Sequence, residues 1–169
     1  MQQNKRAEPK DEDQIVSNLD LTEHTTLSFS VWKHNGKIYG SIRTFVFTDN
    51  YEGPGLSGFA MEADKIDQLC EILNQRTEDI LDPEPKEIAT IPLRAGYFLR
   101  IGVNEYKGRT GVDIRVYFSN EIETGPTKRG IRISIEEIDQ FMEKLEELNS
   151  ALQKLVTPSD VTSEPLAIS

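Results

Sequence analysis

Among its 169 residues the chain has a single cysteine, Cys70. That excludes an internal disulfide and any zinc site assembled from several thiolates. Set among apolar residues at helical spacing, Cys70 is expected to be a buried thiol. Histidine is also scarce: His24 and His34 stand ten apart with no matching acid cluster, so no metal site is expected. No apolar run approaches the roughly 18 to 20 residues of a membrane helix. The first residues, MQQNKRAEPKDEDQ, lack the apolar stretch of a secretory signal. The expected setting is therefore the cytosol, beside a nucleoid in a bacterial cell, or the nucleus in a eukaryotic one. A Walker-type glycine loop, GxSxG and a motif-bound carboxylate pair are all missing, so neither catalysis nor a cofactor is expected.

The chain does contain enough apolar residue, 37%, for a packed core, and 28% is charged, ordinary globular usage. A formal net charge of −10 argues against a nucleic-acid partner only if the charge is evenly spread. It is not. Residues 94–133 hold Arg94, Arg100, Lys107, Arg109, Arg115, Lys128, Arg129 and Arg132 against Glu105, Asp113, Glu121 and Glu123, a local +4, which leaves −14 for the remainder.

Sliding the chain on itself by 72 residues places 14 identities in 53 ungapped positions, where composition would give about 3 or 4. The matches include Gly36 on Gly108, Arg43 on Arg115, the pair Gly53-Pro54 on Gly125-Pro126, Gly58 on Gly130, and the run from Ile66 to Gln68 on that from Ile138 to Gln140. Turn glycines and a Gly-Pro pair constrain the backbone, so a tandem duplication is the better account.

Each copy has the same pattern. In the second, 97–104 and 110–118 are rich in aromatic and β-branched residues, and Tyr106, Lys107, Gly108 and Arg109 form a tight hairpin between them. The stretch 120–130 has turn composition, 131–133 closes a strand, and an earlier strand runs through 87–93. The period then becomes helical: Ile138, Phe141, Met142, Leu145, Leu148, Leu152 and Leu155 share one side. Ser134 and Glu137 have capping-box spacing, and Pro158 is expected to end a helix over 136–156.

The fold expected is α+β: two tandem ββββα modules, each a four-stranded antiparallel sheet with a C-terminal helix, paired within the chain as a pseudo-dimer. The modules span 14–76 and 87–156, joined by a linker at 77–86. Residues 1–13 and 157–169 read as disordered ends. The second helix has more leucine than one small sheet can hide, so it should pack against the other copy. Its acidic side reads as a solvated face and is a candidate surface for protein partners.

The second copy, with YKGRTGVDIRVYF, then PTKRGIRI, then an amphipathic helix, resembles the single-stranded-DNA-binding domain of the transcriptional coactivator positive cofactor four. The resemblance implies a four-stranded sheet plus helix that pairs through its helices and grips single strands. It assigns base stacking to Tyr106 and Phe118, and backbone contacts to Lys107, Arg109, Arg115 and Arg129, with Lys128 beside them. Asn104 and Gly125 depart from the pattern, which has an arginine and a lysine there. Copy one departs further, and Trp32, His34, Lys37 and Arg43 are its weaker candidates.

The residues independently agree, since unspecific single-strand binding joins a cationic groove to rings on which bases stack. Other roles stay open for several of them. Arg115 has Asp113 within reach as an ion-pair partner. Of Tyr117 and Phe118, one must face the core. Trp32 either stacks bases or packs across the domain pair. Single-stranded DNA is the expected partner, RNA the other polymer in question, and the chain is expected to be non-enzymatic, with no membrane role. The competing reading is a protein-interaction module of the same fold. The purine-rich-element-binding type of tandem repeat has similar topology but fits the motifs less well. Oligomerisation beyond the fused pair stays open.

Overall fold

The computed structural model describes the backbone of residues 13–168 and the side chains of 14–156. The N-terminal stretch expected to be disordered lies, but for Asp13, outside the described residues. Eight strands form two four-stranded antiparallel sheets in simple meander order. The first sheet comprises β1 (Asp13–Thr22), β2 (Thr25–His34), β3 (Lys37–Phe47) and β4 (Glu52–Glu62), followed by α1 (Ala63–Gln75). A short helix, α2 (Thr77–Leu81), precedes the second sheet, β5 (Lys86–Arg94), β6 (Tyr97–Tyr106), β7 (Arg109–Ser119) and β8 (Thr124–Ser134). A 3-10 turn at Ile135–Glu137 leads into α3 (Ile138–Ile168). The mixed α+β architecture is the one expected.

The strands follow from period-two alternation, which sends successive side chains to opposite faces. Leu27, Phe29 and Val31 of β2, like Leu99, Ile101 and Val103 of β6, are buried. The residues between them point to the opposite face of each sheet. The two central hairpins turn alike: Asn35 and Gly36 have φ of 51° and 78°, Lys107 and Gly108 of 53° and 77°. Positive φ at both central positions is the two-residue hairpin geometry whose twist matches the flanking strands.

The two modules share one core. Residues of both sheets, α1 and α3 belong to a single buried cluster. The helices cross over: α3 lies on β1, β2 and β3 of the first sheet, while α1 reaches β5 of the second. Phe141 of α3 meets Phe29 of β2 with ring centroids 5.6 Å apart. Gly40 of β3 lets both helices approach, because a Cβ there would sit 2.8 Å from both Ile66 and Leu152. Between the helices, Asn74 donates to Glu146 and Asn149 to Asp67.

Several local expectations change. The stretch 120–130 is not a loop to its end: β8 begins at Thr124 and absorbs the Gly-Pro-Thr-Lys-Arg-Gly segment. A register shift opposite Arg115 and Tyr117 takes up the extra residues, and such a bulge hides a strand from the alternation rule. The segment 77–86 opens with α2, whose Ile80 is buried. Arg76 anchors it, donating to the carbonyl of Ile88 and pairing with Asp79.

Ser134 makes no helix cap; its hydroxyl donates to Glu136 instead, because the 3-10 turn moves the helix start past it. The backbone of α3 is helical through Ile168, so the chain does not leave the helix at Pro158. A proline removes one hydrogen bond and crowds one carbonyl, which disturbs a turn without forbidding helix on both sides. The acidic side of α3 is partly engaged: besides Glu146, Glu147 accepts a hydrogen bond from Ser17 of β1.

Candidate nucleic-acid interface

The β6–β7 hairpin carries the first group. Tyr106 and Arg109 pair across the turn, and Tyr106 is 61% exposed. Lys107 has its ammonium 5.3 Å from the Tyr106 ring centroid, and the Arg132 guanidinium of β8 lies 6.0 Å from it. Arg132 is held by three hydrogen bonds, to the Asn104 side-chain and backbone oxygens and to the Arg109 carbonyl. Gly111 leaves room for it, since a Cβ there would come within 2.8 Å of the guanidinium carbon. The side chain of Arg109 is exposed.

Arg115 is tied down. Its guanidinium makes a two-pronged pair with Asp113, at 3.0 and 3.2 Å, and donates to the Thr127 carbonyl. Its stem passes over Gly130, where a Cβ would stand 2.7 Å from the arginine Cγ. Lys128 and Arg129, on the bulged part of β8, are exposed. The Arg129 guanidinium lies 5.8 Å from the Tyr97 ring, whereas Lys128 has no hydrogen-bond or ion-pair partner among the described residues.

Phe118 does not share a face with Arg115. It pairs with Tyr97 across β6 and β7 and abuts Gly125, 3.4 Å from where a Cβ would be. Tyr117 is on the open face, stacked on Phe98 with centroids 5.5 Å apart and planes at 28°. Arg100 donates to the Tyr117 hydroxyl at 3.1 Å and pairs with Glu87 at 3.3 Å. Burial works against the charge of Arg100, but Tyr117 and Glu87 outweigh it and hold the guanidinium above its ordinary range. Neither the motif nor the charge pattern of the sequence singles out Phe98, Arg100, Tyr117 or Arg132 as a contact residue. The signal available was the alternation itself: with Leu99 and Ile101 facing inward, Phe98 and Arg100 must face outward.

The first-copy candidates sit differently. Trp32 stacks on His34 at 5.0 Å and 13°, and tilts against Tyr39 at 5.1 Å, so it packs within its own sheet. Lys37 pairs with Glu62 at 3.3 Å, and Arg43 is exposed. Where the second open face has Phe98 and Arg100, the first has Thr26 and Ser28, which donate to Asp20 and Asn18. Among the described residues no group of three or more His, Cys, Asp or Glu could hold a metal, and no helix is long and apolar enough to cross a membrane.

The arrangement defines a class first: an α+β protein of two paired meander sheets, one of which has an open face and hairpin set with rings and cations. Residues 95–144 match the family model described as Transcriptional Coactivator p15 (PC4). Two crystal structures of a PC4 homolog from Burkholderia pseudomallei, in orthorhombic and tetragonal forms, are 32% identical to the chain. Each covers 37% of this chain, with 85% and 93% of the homolog matched respectively, at a TM-score of 0.34. Through that stretch the chain belongs to the PC4 family, on the strength of the family model and the sequence identity. No curated protein matches it.

Proposed function

We propose that the chain is a non-enzymatic binder of single-stranded nucleic acid, DNA in the first instance, serving transcription, replication or repair, and that its second module does the binding. The observation that carries this reading is the hairpin tip, where the exposed Tyr106 ring has the Lys107 and Arg132 cations 5.3 and 6.0 Å from its centroid and Arg109 paired with it across the turn. A ring open to solvent stacks on an unpaired base whatever its identity, and cations beside it hold the neighbouring phosphates. Membership of a family described as a transcriptional coactivator supports the same reading.

The net charge of −10 does not oppose it. Screening limits distant acids to about 8 to 10 Å at ordinary salt, so a strand at the hairpin experiences the local cations first. The test is a titration of labelled single-stranded and duplex oligonucleotides at several salt concentrations. The single strand is expected to bind more tightly, with log K falling against log salt by roughly 0.7 per phosphate neutralised. No single-strand binding at low salt would leave the protein-interaction reading of the fold in its place.

A further inference from the structure

The open face of the second sheet carries a line of rings running across all four strands. Pro92 of β5 pairs with Phe98 of β6, Phe98 with Tyr117 of β7, and Tyr117 with Pro126 of β8. Residues in register share a face, so the four rings form one row perpendicular to the strands, with neighbours about 5 Å apart. Two residues further along the strands, about 7 Å away, Arg100 pairs with Arg115 and Arg115 with Gly130. A cation row therefore runs parallel to the ring row.

From this we infer a second base-stacking subsite, distinct from the hairpin tip, in which Phe98 and Tyr117 receive bases while Arg100 faces the phosphates and Arg115, held by Asp113, borders the platform. The inference rests on the proposed single-strand binding and specifies how the polymer lies: across the strands, from β5 towards β8. The separation of the two rows is that which a sugar spans between a base and its own phosphate. Arg100 donates to the Tyr117 hydroxyl and lies 5.5 Å from its ring centroid, which orients the platform before any ligand arrives. Pro92 and Pro126 add apolar ring surface at both ends without an N–H that would need a partner.

The corresponding row of the first sheet is Asp20, Thr26, Phe45 and Pro54. It keeps one aromatic ring, has no stacked pair, and places a carboxylate at its β1 end. Beside it, Asn18 and Ser28 stand in register with Arg43, so one cation replaces two. The subsite thus belongs to the second sheet alone.

The test is an equilibrium titration of the full chain with fluorescent oligothymidylate, comparing Phe98→Ala, Tyr117→Ala and Tyr117→Phe with a hairpin variant, Tyr106→Ala. Circular dichroism checks the folding of each. Loss of one stacking ring is expected to weaken binding about 5- to 150-fold. The salt slope should not change, because no cation is removed, and Tyr117→Phe, which keeps the ring but loses the Arg100 hydrogen bond, should weaken binding less than Tyr117→Ala does.

Should the alanine variants misfold, ultraviolet crosslinking of the unmodified chain to 5-iodouracil oligonucleotides reads the same contact, with adducts expected on Phe98 or Tyr117. Wild-type affinity in both folded alanine variants, or adducts confined to the hairpin, would overturn the subsite while leaving single-strand binding intact. Failure of the wild-type chain to bind at low salt would overturn both.

Discussion

At the scale of single residues, the two modules differ in which cations are free. Lys128 and Arg129 extend from the bulged strand, whereas Lys37 is paired with Glu62 and Arg43 lies beside a row that holds a single aromatic ring, Phe45. Reversing both charges in Lys128→Glu/Arg129→Glu is therefore expected to abolish most single-strand binding and flatten its salt dependence by about two phosphates. The variant Lys37→Glu/Arg43→Glu should bind nearly as the wild type does. Equal losses in the two titrations would place the strand across both sheets. Cys70 offers a test of the core. Burial, then Glu146 and Asp67, push its thiol from an ordinary 9.0 up to about 12. A raised pKa in the fold stabilises below the unfolded value and is lost as pH climbs through the folded one. Stability should accordingly decline between pH 9 and about 12, and Cys70→Ala should flatten that part of a pH series of urea melts. The same burial predicts that Cys70 reacts with a thiol reagent only as fast as the chain opens.

Among the elements, the strands with clean alternation were readable and the bulged one was not. β6 and β7 emerged from Leu99, Ile101, Val103, Val112, Ile114 and Val116, whose inward period has no interruption. β8 reads as a loop over its first half because Gly125, Pro126 and Gly130 carry turn composition. Their reason is steric: Gly130 must let the Arg115 stem pass, a contact between strands that no window along the chain contains. Tyr117 and Phe118 show the same limit. Alternation said that one of them faces inward, and only the pairing with Phe98 and Tyr97 said which. For α3, the apolar stripe announced a helix, and its leucine excess announced a partner beyond its own sheet. That partner is the first sheet, where Phe141 meets Phe29. Phe141→Ala is expected to cost about 3 to 5 kcal/mol and to raise amide exchange in β2, an element more than a hundred residues earlier in the chain. Exchange that rises only in the second sheet would contradict the crossed packing.

Over the whole molecule, two modules near the lower size limit for a stable core bury their apolar faces together, and the result is one core with two unlike open faces. What the sequence determined by itself is whatever short-range pattern and charge can encode: the 72-residue similarity, the meander-and-helix order, the Asn-Gly and Lys-Gly hairpins, the buried cysteine, and the concentration of cations in 94–133. What only the tertiary structure decided is which side chains share a face and which helix covers which sheet. Arg115 is committed to Asp113, Phe118 lies away from Arg115, and Phe98, Tyr117 and Arg100 come together. The physical reason is that facing depends on register between strands, and register is set by bulges and by contacts between residues far apart in sequence.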